Sequence, residues 1–251
     1  MNKYPKSTVC VSIVSHLHGG MVVQVVHQLL QFPEVGQIIV TLNLFEDLDL
    51  PEDQRIVIIH NKKPLGFSSN HNNAFAQTRA QHFCVLNPDI TFIENPFPFF
   101  IDAIETRNAG VVCPQVLAPS GELEDNVREF PNLFDIILRG FGFQRKSPLQ
   151  MDGLFKVPWC AGMCMCFSEN AYKTVGGFDP GFFLYYEDVD ICARMWSKGL
   201  SVYCSTKCKV IHEAQRHSHY KVSFLRLHLL SAIKYLLRYR LGLNVPKSSS
   251  E

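Results

Sequence analysis

The sequence predicts an α/β protein with a mostly parallel central sheet flanked by helices. Two observations carry that prediction. Short apolar runs rich in β-branched residues, VCVSIV, QIIVTL, RIVIIH and HFCVL, recur through the first half of the chain. Stretches with helical character separate them, and strand and helix in alternation build βαβ units and a parallel sheet.

Taken in order, residues 9–16 form a β-branched strand that ends on polar side chains. GMVVQVVHQLLQF then suits a helix, with Val22, Val26, Leu29 and Leu30 on one face. Residues 37–42 and 55–60 are two further buried strands, GFSSNHNNAFAQTRA opens a helix, and residues 82–86 are the next strand. The second half is less regular. Residues 109–117 read as a strand interrupted by Pro114, and residues 118–157 as a variable loop with one helix near 132–140. A helical pattern begins at Glu187, with Val189, Cys192 and Trp196 at i, i+3 and i+7. Separate strands are expected near 200–204 and 209–212, followed by an amphipathic helix with Leu225, Leu229, Leu230, Ile233, Leu236 and Leu237 in one arc. Without repeats or a low-complexity linker before the terminal PKSSSE, the chain reads as one domain.

Bulk properties narrow the function classes. The chain has 251 residues, 47% hydrophobic and 19% charged, with net charge +1. Near-neutral charge offers no general attraction to nucleic acid. No apolar window reaches the roughly 18 residues of a membrane span, and MNKYPKSTVCVSIV lacks the pattern of a signal peptide. Nine cysteines without such a signal are expected to be reduced thiols, which places the protein in the cytoplasm. From Ala214 to Ser250 there is no acidic residue, while Arg216, Lys221, Arg226, Lys234, Arg238, Arg240 and Lys247 are basic. With Phe224, Tyr235 and Tyr239 as an aromatic fringe, that helix suits either an anionic membrane surface or packing on the domain.

Ligands of parallel sheets bind beyond the carboxyl ends of the strands. Ser15, His16, Asn43, Asn61, Asn87 and Asp89 fall at such ends. Asn87-Pro88-Asp89 is an ordinary turn or a strand tip that holds a ligand. Asp89 and His212 could share a divalent cation, with Mn²⁺ suited at least as well as Mg²⁺, although His212 alone reads as a hydrogen-bonded loop histidine. Glu187, Asp188 and Asp190 sit in a first helical turn, where the helix dipole favours carboxylates. Asp190 and Arg194 are spaced as an i, i+4 ion pair, whereas Asp188, at an aromatic-walled entry, suits a general base. Gly66 precedes a cluster of Ser and Asn at a helix N-terminus, a place that attracts phosphate or is simply capped. Cys160, Cys164, Cys166, Cys204 and Cys208 lack the paired spacing of structural zinc sites and read as core thiols.

In chain order, PLGFSSNHNNAFAQTRAQHFCVLNPDI, WCAGMCMCFSENAYKTVGGFDPGFFLYYEDVDICARMWSKG and VIHEAQRHS resemble family 2 glycosyltransferases. Within that family they are most similar to the bacterial rhamnosyltransferase-like branch that builds O-antigen and related polysaccharides. The resemblance implies a GT-A fold over residues 1–215, with a donor-binding half to about residue 115 and an acceptor-binding half over 116–215. Residues 216–251 then form a basic helix and tail. It implies that Asp89, in the place of the family's D-x-D motif, binds a divalent cation, Mn²⁺ or Mg²⁺, with His212. Ser15, His16, Asn43, Gly66, Phe67, Asn70, Asn72 and Asn87 would surround a nucleotide-sugar donor, and Trp159, Gly162 and Met163 the acceptor. Asp188 would be the catalytic base, with Glu187 its neighbour, in an inverting displacement. The implied reaction moves L-rhamnose from dTDP-L-rhamnose to a polyprenyl-diphosphate-linked saccharide at the cytoplasmic face of the inner membrane. Transfer from a UDP-hexose or UDP-N-acetylhexosamine, and non-catalytic binding of a nucleotide sugar, are the alternatives. Three positions depart from the family pattern: Leu42 stands where an Asp is common, Pro64 where an Asn is common, and Asn87 in place of an acid.

Overall fold

The protein is described by a computed structural model covering residues 8–140, 152–213, 222–242 and 245–246. β1 (Val9–Ser15), α1 (Gly20–Leu30), β2 (Val35–Leu42), β3 (Ile56–His60), α2 (Phe67–Phe75) and β4 (His82–Leu86) follow the expected alternation. Next come β5 (Ile90–Phe92), α3 (Phe97–Arg107), β6 (Ala109–Leu117), β7 (Val127–Arg128), α4 (Leu133–Gly140), β8 (Leu154–Lys156) and β9 (Trp159–Cys160). The chain continues through β10 (Cys164–Ser168), α5 (Glu169–Thr174), α6 (Glu187–Ser197), β11 (Ser201–His212) and α7 (Val222–Arg238).

One sheet runs in the order β3-β2-β1-β4-β10-β6-β11-β5, with β8 beside β11, and β7 pairs β9 separately. The first four strands are parallel throughout. β1, β2 and β4 are buried along almost their whole length, whereas β3, expected as a buried strand, is the half-exposed edge. Further along the sheet is mixed: β10 lies antiparallel between β4 and β6, whereas β6 and β11 are parallel. Because β10 opposes β4, its start at Cys164 faces Leu86 at the end of β4. By the same logic the ends of β6 and β11 lie on the edge where β1, β2 and β4 end. Antiparallel β5 starts there too, with Ile90 opposite His212. One rim of the sheet therefore collects residues 15, 43, 87, 89, 163 and 212.

Both faces are covered. Val22, Val25, Val26 and Leu29 of α1 and Phe97, Phe100, Ala103 and Ile104 of α3 pack on one side. α2, α5, α6 and α7 cover the other through Ala74, Tyr172, Ile191 and Tyr235. α3 was not anticipated, although Phe97, Phe100 and Ile104 carry the i, i+3, i+7 spacing of a buried helical face. Two strands expected near 200–204 and 209–212 are one, β11, whose pairing with β6 shifts between Ser205 and Lys209. That shift falls beside Pro114, which pairs with Ser205 and has no N–H to offer a ladder. So β6 runs through its proline, and its partner bulges instead.

α7 corrects the expected tail. Tyr235 and Tyr239 do not form an outer aromatic fringe; with Ala232 and Leu236 they are buried on the domain. Lys234 and Arg238 pair with Asp179 rather than standing free. Leu225, Leu229, Leu230, Ile233 and Leu237 remain exposed, between 45% and 74%. Arg216, Lys221 and Lys247 and the side chain of Phe224 lie outside the described residues.

Candidate active site

β4 ends at Leu86, and the backbone N–H of Asn87 donates to the Met163 carbonyl at 2.9 Å. Two residues on, the Asp89 carbonyl accepts from the Glu213 N–H at 2.8 Å, which ties the tip to the end of β11. Asp89 Oδ2 then lies 3.3 Å from His212 Nε2. On its other side His212 Nδ1 is 2.8 Å from Glu124 Oε2. Burial disfavours the imidazolium, but the hydrogen bonds and charges of Asp89 and Glu124 outweigh it and raise the His212 pKa. Glu124 lies in the 118–157 stretch, where no strand or helix pattern marks it as a site residue. APSGE is nevertheless turn chemistry: Gly121 donates to the Ala118 carbonyl, and Glu124 N–H returns to the Val116 carbonyl at 2.8 Å.

The cation question is decided by donors, not by spacing. Asp89 Oδ1 is buried and has no hydrogen-bond partner. Among the described residues no three His, Cys, Asp or Glu side chains form a ready metal cage. Mg²⁺-type ions rarely need one, since one or two protein groups plus substrate phosphates and water complete the shell. Asp89 with His212 therefore fits a divalent cation bound together with a diphosphate. Zinc at the cysteines does not fit: among the described residues no three of these buried thiols are placed to share an ion.

At the other end of the rim stands the N-terminus of α6. Asp188 Oδ1 accepts from the Val189 N–H at 2.8 Å, and Oδ2 from the Gly162 N–H at 3.1 Å. Burial pushes the Asp188 carboxyl up to about 6, against the stabilising pull of those two N–H groups. Glu187 is 5% exposed, and its Oε2 has no partner. Burial first, and then the Asp188 charge, hold its pKa well above the usual carboxylate range. Of the two, Asp188 is the one whose carboxylate is held by backbone N–H donors from outside its own residue, which favours its charged form. Gly162 and Met163 link the two ends: Gly162 holds Asp188, and Met163, its neighbour, holds Asn87. A Cβ on Gly162 would lie 3.1 Å from Phe67 Cζ, so Phe67 walls the same space.

Asn43, Asn61 and Asn70 form one network. Asn43 Oδ1 accepts from the Leu65 N–H and from Asn61 Nδ2, both at 2.8 Å, and Asn61 Nδ2 also reaches Asn70 Oδ1 at 2.7 Å. Asn43 Nδ2 meets His16 Nδ1 at 3.2 Å. These residues shape the 61–66 loop beside the rim, with His16 exposed at its mouth. Ser15 is fully buried and its Oγ accepts from the His18 N–H, so it shapes the 16–19 turn after β1 from beneath.

Three expected ligand contacts are corrected. Asn72 spends its amide on the core: Oδ1 accepts from Tyr172 and from the Phe178 N–H, and Nδ2 donates to the Phe178 carbonyl. Trp159 is 5% exposed, and its indole donates to the Glu129 carbonyl at 2.8 Å, so it is an interior residue rather than an acceptor platform. Gly66 has a packing role, and the Phe67 N–H beside it is taken by protein rather than left for phosphate. A Cβ on Gly66 would sit 2.4 Å from the Phe183 carbonyl oxygen, which already accepts the Phe67 N–H at the start of α2. Its lack of a side chain admits the loop that leads to Asp188.

Comparison with known proteins identifies the family and the fold. The family model described as Glycosyl transferase family 2 matches residues 41–170, and that of the N-terminal domain of galactosyltransferase matches residues 150–221. Rhamnosyltransferase WbbL of Escherichia coli is 29% identical over 70% of this chain and 72% of its own length. The N-acetylglucosaminyl-diphospho-decaprenol L-rhamnosyltransferase of Mycobacterium tuberculosis is 27% identical over 61% of this chain, which spans only 53% of that protein. In three dimensions the chain is similar to GalNAc-T7, with a TM-score of 0.65 and 14% identity, over 84% of this chain and 44% of that one. The mannosyltransferase PcManGT of Pyrobaculum calidifontis gives 0.62 and 12%, over 93% and 65%. Both share the GT-A fold.

Proposed function

Since the chain belongs to glycosyl transferase family 2, we propose that it is an inverting sugar transferase whose base is Asp188 and whose donor diphosphate sits at Asp89 and His212. The observation that carries this reading is the shared rim: a carboxylate raised to about 6 and an unsatisfied aspartate oxygen, joined through consecutive residues Gly162 and Met163. Mn²⁺ or Mg²⁺, held by Asp89 and His212, would supply neutralisation of the charge that grows on the leaving diphosphate. Asp188 accepts the proton of an acceptor hydroxyl while that oxygen bonds to the anomeric carbon and the bond from that carbon to the diphosphate oxygen breaks. A pKa near 6 leaves Asp188 ionised at neutral pH yet basic enough for the transfer. Phe67 and the Gly162 backbone exclude water from its flank. Displacement from the face opposite the diphosphate inverts the anomeric configuration.

For the substrates, the two rhamnosyltransferase relatives favour L-rhamnose as the sugar, and dTDP-L-rhamnose is the donor proposed here. The mycobacterial protein's name favours a polyprenyl-diphosphate-linked saccharide as acceptor, and a role in cell-surface polysaccharide synthesis such as O-antigen assembly is part of the proposal. Such an acceptor lies in a membrane, and the exposed leucines of α7, with exposed Arg226 and Arg240, are suited to rest on an anionic cytoplasmic leaflet. No helix among the described residues is long and apolar enough to cross a bilayer. A panel of dTDP-, UDP- and GDP-sugars with a synthetic polyprenyl-diphosphate sugar tests the donor. Asp188→Asn should abolish transfer while leaving donor affinity within a few-fold, and retained transfer removes Asp188 from the mechanism. Leu229→Glu with Leu237→Glu should abolish sedimentation with anionic vesicles; unchanged sedimentation excludes that face.

A further inference from the structure

The entry to α6 is held in an unfavourable backbone form. Tyr185 and Tyr186 take φ of 71° and 67°, the left-handed region that aromatic side chains seldom occupy, immediately before Glu187 and Asp188. Such conformations persist only where surrounding contacts over-determine them. Here α7 makes many of those contacts. Ser231 Oγ donates to the Leu184 carbonyl at 2.8 Å. The His228 ring lies 5.1 Å from Tyr185 and 5.4 Å from Tyr186, and Tyr235 lies 5.3 Å from Tyr186.

A second set of contacts grips α6 itself. Asp190, fully buried, receives Arg194 Nε at 2.8 Å, Arg238 at 2.6 Å and the Tyr239 hydroxyl at 2.9 Å. Arg238 also pairs with Asp179, as does Lys234 at 3.2 Å, and Lys234 lies 4.5 Å over the Phe182 ring. The last helix therefore clamps both the loop before Asp188 and the turn that follows it.

We infer that α7 is the brace that orients Asp188, and that Arg238 and Tyr239 are positioning residues for the transfer step. The inference rests on the reading of Asp188 as base. An aspartate at a helix N-terminus points wherever the preceding backbone sets it, and left-handed tyrosines released from their packing return to commoner conformations. Misplacement of a catalytic group by about 1 Å costs on the order of 100-fold in rate.

Arg238→Gln and the milder Tyr239→Phe test it by two measurements. The first is amide hydrogen exchange on the intact chain: exchange at 184–190 should quicken about tenfold while β1 and β4 keep wild-type protection. The second is steady-state kinetics with the donor and acceptor pair found by the panel. In Arg238→Gln kcat should fall about tenfold or more with both KM values within about threefold, and the acid limb of the pH–rate profile should shift. Arg238→Lys should recover part of the loss. Unchanged or evenly spread exchange, or a kcat within about twofold of wild type with an unmoved acid limb, overturns the inference. Its failure is distinct from that of the base reading: active Asp188→Asn sinks the latter, whereas inactive Asp188→Asn beside fully active Arg238→Gln sinks only the brace.

Discussion

Gly66→Ala should damage this protein through the loop before Asp188, not through the donor. The new Cβ would lie 2.4 Å from the Phe183 carbonyl oxygen and 2.8 Å from Phe183 Cα, where ordinary contact begins at 3.4 Å. Relief requires about 1 Å of backbone movement, because no flexible side chain can swing aside. Overpacking of this kind costs about 1–3 kcal/mol. Movement also strains the Phe67 N–H to Phe183 and Ser68 Oγ to Phe182 hydrogen bonds, both 2.9 Å long. Each of those is worth about 0.5–1.5 kcal/mol. A total of about 2–6 kcal/mol, the upper end only if both bonds are lost, lowers Tm by about 4–24 °C in a chain of this size. Because the displaced segment continues through Tyr185 and Tyr186 to Asp188, kcat should fall by one to two orders of magnitude. Differential scanning fluorimetry, donor titration and initial rates measure the three effects. A Tm within about 2 °C of wild type, together with a weakened donor affinity, would refute the argument and restore Gly66 as a phosphate contact.

Asn72→Ala should cost about 2–4 kcal/mol, since it strands the Tyr172 hydroxyl and both backbone groups of Phe178, with donor affinity unchanged; a calorimetric scan and a donor titration check it. The rate of transfer should rise with pH through about 6 and level off above, because the raised Asp188 must lose its proton to act. The stability effect has the opposite sense. The folded state binds this proton more tightly than the unfolded chain, so stability is lost as pH rises from the unfolded value of 3.8 through about 6. Asp188→Asn loses one of the two N–H bonds at either pH but removes the buried charge only where Asp188 is ionised. Its stability relative to wild type should therefore be more favourable at pH 7.5 than near pH 4 by about 1–2 kcal/mol, discounted for partial exposure. Equal melting shifts at both pH values would contradict it.

Much of the parallel half was legible because its strands are continuous apolar runs that end on polar residues. Asp89, His212 and Asp188 stand out in the same way, as acids and an imidazole at the ends of recognisable elements, and the Asp190–Arg194 ion pair follows its i, i+4 spacing. The errors share one cause. Asn72 and Trp159 lie in motifs that resemble a binding site, yet their polar atoms are consumed by backbone groups from distant segments. α7 showed a leucine arc and two tyrosines, but which stripe faces the domain depends on the surface it meets. Tyr235 and Tyr239 fit against Tyr186 and Asp190 respectively, whereas most of the leucines have no such surface.

Local chemistry alone determined the alternation of strands and helices, the polar strand tips and the acidic start of α6, because periodicity and helix polarity act over a few residues. Tertiary structure alone decided that Glu124 turns back onto His212, that Gly66 serves a neighbouring loop, and that the last helix grips Asp190. Each depends on a meeting between segments tens of residues apart, and no short-range pattern encodes which of several polar partners a side chain will find.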